Sequence, residues 1–512
     1  MSKTVDFSGK PFHFIGIGGI GMSALAYILA QRQLPVSGSD LRATHITERL
    51  SGAGAYIFSS QEGRNLEFFQ EKFEEEKVAL PTAKVGGTKV SATASTSESN
   101  SYASKLKVEP GLPQVICSTA ISPTNSEYLA ARSLGCPIFH RSDLLAALIR
   151  DYYSIAVAGT HGKTTTSSLI GYVLLKAGLD PTVVVGGEVN AWAGNARLGD
   201  GRYIVAEADE SDGSLSKLAA NIGVITNIEL DHPDHYQSLA EVIGIFEVFA
   251  AKCETLVGCI DCEIVREKLN PSITYSLNPE SQADYTVSKV NYGALGTKAE
   301  VIERGQVLGE LELPLLGTHN LSNALAAIAV GRKVGLEFAE IAAGIATFEG
   351  AKRRFELKGK AGGVTFVDDY AHHPSEIRAT LAAARLRVNK NQPDSKKRVV
   401  AIFQPHRYSR TLTFLSEFGA AFNDADVAIV TDIYSAGEPD LGEVSGQDVA
   451  VAIAANHPQV YYQASDSSLS SFLASILQPG DLALFLGAGN LNQIIPEAIA
   501  ALGSQTTLKT EV

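Results

Sequence analysis

At 512 residues, 45% of them hydrophobic and 19% charged, the chain has the balance of a globular protein and length for about three domains. A formal net charge of −13 argues against nucleic acid, which binds through Lys and Arg neutralising phosphates. The five cysteines (Cys117, Cys136, Cys253, Cys259 and Cys262) are too sparse for a disulfide framework. Met1 to Lys10 are polar rather than signal-like, and no apolar run nears the ~20 residues that span a bilayer, so a cytoplasmic protein is expected.

The first elements alternate strand and helix. Phe12 to Ile15 reads as a short strand, Met22 to Gln31 as a helix, and Leu34 to Gly38 as a second strand ending near Asp40. Between strand and helix stands Gly16-Ile17-Gly18-Gly19-Ile20-Gly21, a GxGxxG turn. Its glycines let a diphosphate approach a helix N-terminus. An acid near the end of the next strand suits an NAD enzyme, but the turn serves any nucleotide-linked substrate equally well. Residues 66–111 read as an insertion: Glu67 to Lys77 is charge-rich, and Thr88 to Ser104 is mostly Ser, Thr and Ala. Gln114 to Cys117 and Pro137 to Phe139 resume the strands.

A second α/β unit opens at Ser154 to Ala158 and leads into Gly159-Thr160-His161-Gly162-Lys163-Thr164-Thr165, then a helical run from Thr166 to Lys176. Strand, Gly-rich turn and helix make a phosphate loop, with Lys163 for the terminal phosphates and Thr164 for Mg²⁺. The loop is shorter than GxxxxGK[ST], since Val157 stands where its first Gly would be. The strand Tyr203 to Ala206 runs into Glu207-Ala208-Asp209-Glu210, which would bring carboxylates to the sheet edge where α/β domains hold ligands. Ile222 to Thr226 leads to Asp231 and His232 at the same edge, His232 as a candidate second-metal ligand. Cys259-Ile-Asp-Cys262 has CxxC spacing but no nearby His or second pair to complete a zinc site. Asn320 to Val330 is strongly helical.

A third unit contains strands at Gly363 to Val367, Arg398 to Phe403, Val427 to Val430 and Asp481 to Leu486. Polar clusters follow its apolar runs: Lys352-Arg353-Arg354-Phe355, Asp368 to Pro374 with His372, and Gln404 to Arg410 with Arg407 and Arg410. Arginine forks bind phosphate and carboxylate oxygens alike, so these loops are expected to share one cleft. The reading is an α/β protein of three domains, 1–150, 151–350 and 351–512.

Taken together, the stretches His13 to Ser23, Gly159 to Thr165, Glu207 to Asp212, Thr226 to His232, Gly317 to Asn320, Asp368 to Pro374 and Phe403 to Arg410 resemble the Mur ligase family of peptidoglycan synthesis. That resemblance implies a Rossmann-like N-terminal domain for a UDP-sugar, a central P-loop ATPase domain, and a C-terminal Rossmann-like domain for an amino acid. It implies ATP as co-substrate on Gly159 to Thr165, with Asn320, Arg354 and Asp369 at adenine, ribose or phosphate. Two Mg²⁺ ions would use Thr164, Glu207 and His232. The UDP diphosphate would lie on Gly16, Gly18, Gly19 and Gly21, and the amino acid on His372, Arg407 and Arg410. Lys163, Glu207, His232 and His372 would carry the chemistry. The implied reaction joins L-alanine to the lactyl carboxylate of UDP-N-acetylmuramate through an acyl phosphate. Attachment of a whole peptide, and an NAD-dependent oxidoreductase, are the alternatives. Some family members hold a second metal through a carbamylated lysine. No lysine stands in that place here, Lys252 lying too far on.

Overall fold

The computed structural model describes residues 4–69, 111–388, 397–465 and 467–509. Its strands form three sheets of five, ten and six strands. In the first, β1 (Phe12–Ile15), β2 (Val36–Ser39), β3 (Tyr56–Phe58), β4 (Gln114–Cys117) and β5 (Ile138–His140) lie parallel in the order β3-β2-β1-β4-β5. Outside β2, which is Val-Ser-Gly-Ser, these short strands are mostly apolar, as a parallel sheet favours when helices cover both faces. Beneath its glycine turn lies a buried polar group. His13 shares hydrogen bonds with Ser37 Oγ at 2.8 Å and Glu127 Oε1 at 2.9 Å, and Glu127 also accepts from Ser39 and Asn65. Every buried polar atom there that these bonds reach is paired, as low dielectric demands.

Leu66 is buried against Ile15, Val115, Ala131 and Cys136. The first unit's ordered chain therefore reaches at least Phe69, beyond the point where the insertion was expected to start. Thr88 to Ser104 and most of Glu67 to Lys77 lie outside the described residues.

The second sheet contains β6 (Tyr153–Ala158), β7 (Thr182–Val189), β8 (Gly194–Arg197), β9 (Tyr203–Glu207), β10 (Ile222–Ile225), β11 (Thr255–Cys259), β12 (Ile273–Tyr275), β13 (Tyr285–Gly293), β14 (Gly296–Glu303) and β15 (Gln306–Leu313). Their order is β15-β14-β13-β12-β11-β10-β6-β9-β7-β8. β6 to β12 pair in parallel apart from β8, whereas β13, β14 and β15 form an antiparallel meander. The helices Lys163–Lys176 and Thr318–Lys333 are buried over most of their length and share one core cluster. Their middle stretches, Leu169 to Leu174 and Ala324 to Val330, carry no charged residue, as such a position favours.

The third sheet has β16 (Glu356–Ala361), β17 (Val364–Asp369), β18 (Val399–Phe403), β19 (Val427–Val430), β20 (Val460–Tyr462) and β21 (Leu482–Leu486), ordered β16-β17-β21-β18-β19-β20. All but β16 run parallel. The loops after β17 and β18 therefore leave the same edge, on either side of β21.

The β7–β8 hairpin touches all three units. Asn195 Nδ2 donates to Ser23 Oγ at 3.0 Å in the first. Glu188 takes His45 of the first unit and Lys352 of the third, each at 2.8 Å. Among the described residues no helix is long and apolar enough to cross a membrane.

Candidate active site

Strand order explains why three separate motifs meet. β6 lies between β9 and β10, so the turn after β6 faces the acidic end of β9 and the Thr226 to His232 segment after β10. Gly159 has φ +137°, and a Cβ there would lie 2.0 Å from Thr226 Oγ1. Gly162, at φ +83°, precedes the helix that starts at Lys163, and no side chain caps that helix. Its first amides are thus left for an anion.

Lys163 Nζ donates to Gly159 O at 2.6 Å, Thr160 O at 3.1 Å and Glu210 Oε1 at 2.7 Å. Burial opposes its charge, but Glu210 and Asp209 outweigh that and raise the ammonium above its ordinary range. Burial pushes Glu210 up to about 7 despite Lys163, and its second oxygen, Oε2, is buried without a hydrogen-bond partner. Asp209 behaves oppositely: burial would raise it, yet Arg141 at 2.6 Å and Lys163 hold it well below the carboxylate range. Thr164 Oγ1 donates to Glu207 Oε1 at 3.0 Å, and Glu207 Oε2 accepts from Gly186 N at 2.6 Å. The adjoining Thr164 hydroxyl and Glu207 carboxylate are hard oxygen donors of the kind Mg²⁺ takes.

His232 sits at φ +56°, its Nε2 3.9 Å from Glu210 Oε1 and 3.7 Å from Asp231 Oδ2. Burial pushes its imidazolium form down, favouring the neutral ring that a metal needs. Asp231 receives Arg410 Nε at 2.8 Å. Burial would raise Asp231, but Arg410 and His232 hold it far below the usual range. Arg410 is itself buried, so it struts the third unit against the second. Arg407 reaches the same seam: its Nη1 lies 2.7 Å from Asp234 and 3.2 Å from Glu438. Both arginines expected at the amino acid thus already hold carboxylates.

His161 of the phosphate loop lies between Glu229 at 3.2 Å and Glu376 at 3.3 Å. Burial resists its charge, but these two bonds push it up to about 9, while the bond to His161 draws Glu229 down to about 2. His372 differs: burial pushes it down to about 4. Its Nδ1 lies 2.9 Å from Tyr370 O, a carbonyl that can only accept. The proton belongs on Nδ1 and the basic lone pair on Nε2.

A cavity of about 550 Å³ opens beside the loop, lined by Gly162, Thr165, Asn320, Arg354 and Asp369 among others. That volume suits a small-molecule ligand. Asp369 accepts from Phe355 N and Ala371 N, each at 2.8 Å, and burial raises it. Asn320 donates to Leu316 O at 2.8 Å, and Arg354 lies over the Tyr370 ring at 5.2 Å. The structure therefore joins the expected residues of the second and third units along one seam.

The glycine turn of Gly16, Gly18, Gly19 and Gly21 belongs to the first sheet. Asp40 Oδ2 accepts from Gly18 N at 2.9 Å and its Oδ1 from Arg42 N at 3.0 Å, which turns this carboxylate into the loop. The helix Ile20–Gln31 has no side-chain cap and no acid in its first turn, so its amides suit a diphosphate. Arg141 approaches Gly21 and also binds Asp209 and Asp212, linking this turn to the acidic loop.

The sequence reading gave no role to Glu229, Glu376, Arg141 or Asn323, and it placed Glu210 among the edge carboxylates without its pairing to Lys163. Asn323 left a signal: it stands three residues after Asn320, on the same helix face. It meets Thr166 Oγ1 at 3.1 Å, and a Cβ on Gly162 would strike it.

A sheet with a glycine-rich turn and uncapped helix, flanked by two further α/β units with a cavity on the seam, defines a multidomain α/β protein of the enzyme type. Residues 11–153 match the Mur ligase family catalytic domain, 157–331 the Mur ligase middle domain, and 353–489 the Mur ligase glutamate ligase domain. The chain belongs to the Mur ligase family. It is 64% identical to UDP-N-acetylmuramate–L-alanine ligase of Gloeothece citriformis over 98% of this chain and 99% of that one. The corresponding ligase of Nostoc punctiforme is 63% identical over 98% of each chain. Among solved structures, the UDP-N-acetylmuramate-alanine ligase of Thermotoga maritima superposes with a TM-score of 0.75 at 26% identity, covering 97% of this chain and 99% of that one.

Proposed function

We propose that the protein joins L-alanine to the lactyl carboxylate of UDP-N-acetylmuramate at the expense of ATP, in the cytoplasm, as a step of peptidoglycan precursor synthesis. The observation that carries this reading is the convergence of Lys163, Thr164, Glu207 and the cavity lined by Asn320, Arg354 and Asp369 on one phosphate loop. Relatives 63–64% identical along nearly the whole chain act on these substrates by name, which supports the choice of acceptor.

The triphosphate lies on the amides of Gly159 to Thr165 with the base in the cavity. Lys163 leaves the loop carbonyls for the terminal phosphates, where its charge offsets what accumulates as one anion attacks another. Thr164 and Glu207 would hold one Mg²⁺ and His232 a second, supplying further charge neutralisation at the transferring phosphoryl group. A carboxylate oxygen of the sugar attacks the γ-phosphorus, the bond to the bridging oxygen breaks, and ADP departs. The acyl phosphate so formed has a good leaving group that the carboxylate lacked. The neutral amine of L-alanine attacks its carbonyl carbon, Nε2 of His372 takes the amine proton, and phosphate leaves with the former carboxylate oxygen. Arg407 releases Asp234 or Glu438 to receive the alanine carboxylate. Arg410 keeps its pairing with Asp231 and fixes the floor of that pocket. Gly16 to Gly21 bind the UDP diphosphate.

Phosphate release assayed with ATP, UDP-N-acetylmuramate and a panel of amino acids and peptides tests the reading. L-Alanine is expected to support turnover best. Turnover dependent on a tripeptide in its place, or on none of the panel, overturns it.

A further inference from the structure

Glu376 stands in the first turn of the helix Pro374–Arg387, and its two oxygens face two different sites. Oε1 lies 3.3 Å from His161 Nδ1 in the phosphate loop. Oε2 accepts the His372 N–H at 3.0 Å and that of His373 at 3.4 Å, and lies 3.2 Å from the His372 ring. The second nitrogen of His161 is on Glu229, in the segment that follows β10. One nearly buried carboxylate thus joins the loop that would hold phosphate to the histidine that would take the amine proton.

We propose that Glu376 is a positioning residue coupling the nucleotide pocket to the acceptor pocket, so that nucleotide and acceptors bind more tightly together than apart. This rests on the assignment of the two pockets made above. A triphosphate on Gly159 to Thr165 fixes His161, His161 fixes Oε1, and a rigid carboxylate then fixes Oε2 against His372. Coupling between two sites needs such a shared element, biased by both ligands. Burial would raise Glu376, but His372 and His161 hold it well below its ordinary range, so both histidines meet a full negative charge.

The competing explanation is a helix cap, since Glu376 completes a capping box with His373. Glutamine also serves at that position, so Glu376→Gln keeps the cap and removes only the charge. Affinity for a non-hydrolysable ATP analogue is to be measured by calorimetry on the full chain, alone and with saturating UDP-N-acetylmuramate and L-alanine. In the native protein the acceptors should tighten the analogue by about fivefold or more, within the usual span of coupling between sites. In Glu376→Gln that factor should fall below about twofold, while the analogue alone stays within about threefold of native. A native-sized factor in the variant, or no factor in the native protein, overturns the proposal. Should Glu376→Gln fail to fold, His161→Gln cuts the same arm from the loop side, and an undiminished factor there overturns it too. Native protein that couples the ligands yet forms no product would instead count against the proposed function.

Discussion

Lys163 and Glu210 show how this site stores charge. In the described structure the ammonium rests on two loop carbonyls and a carboxylate that burial has pushed up to about 7. In the proposed function a triphosphate supplies better partners, and Lys163 exchanges the loop carbonyls for them. Lys163→Ala should lower the rate of phosphate release by about 10²–10³-fold or more, the worth of one preorganised charge at a transition state. Calorimetric binding of UDP-N-acetylmuramate should survive, because its glycine turn lies on another sheet; near-native turnover would remove Lys163 from the chemistry. Asp231 and Arg410 make the opposite use of charge. Both are buried and paired, and removing one partner leaves the other stranded. Asp231→Ala should cost about 3–5 kcal/mol in denaturant unfolding. A loss below about 1 kcal/mol, the value of an exposed pair, would mean that water reaches this strut.

At the scale of elements, the loop–helix latch formed by His161, Glu229 and Glu376 has a definite pH dependence. The folded His161 stays protonated up to about 9, against an ordinary value of 6.5. Its contribution to stability is therefore complete below about 6.5 and is lost as pH rises through about 9. The stability difference between the native protein and His161→Asn, from urea melts at stepped pH, should shrink across that window. A difference that stays flat would show the ring to be neutral throughout.

The strands that frame this latch were legible because both faces are covered. Val427 to Val430 is a continuous apolar run, and Phe12 to Ile15 and Gln114 to Cys117 are broken only by His13 and Gln114, a pattern that covered parallel strands favour. β13 to β15 escaped notice because their apolar residues alternate with charged ones along a half-exposed edge, and two glycines interrupt β7. Lys163, Thr164 and Glu207 were legible because each belongs to a contiguous pattern of strand, turn and polar group. The pairings of Glu210, Glu229 and Glu376 were not, since the partner that gives each its meaning is tens to hundreds of residues away. Strand order decides such meetings, and no local pattern encodes it. The arginines mark another limit: the family resemblance set Arg407 and Arg410 at an amino-acid carboxylate, and only the fold reveals Asp234, Glu438 and Asp231 already beside them.

At the scale of the whole molecule, the seams matter more than the cores. The cavity lies between the second and third units, and Arg141 joins the first unit's glycine turn to the acidic loop of the second. Glu188 receives a side chain from each of the other two units through exposed ion pairs, which are weak in water and so permit the units to shift against one another. Substrates held on separate units can then be brought together by closure, with buried struts such as Arg410–Asp231 setting the limit of the movement. In the proposed function all of this serves one event, the transfer of the outermost phosphoryl group of a nucleotide to a carboxylate. That event leaves an isotopic trace. With ¹⁸O in both lactyl carboxylate oxygens, the released phosphate should carry one labelled oxygen per turnover by mass spectrometry, because the C–O bond breaks as the amine displaces phosphate. Unlabelled phosphate accompanying normal product would contradict the account.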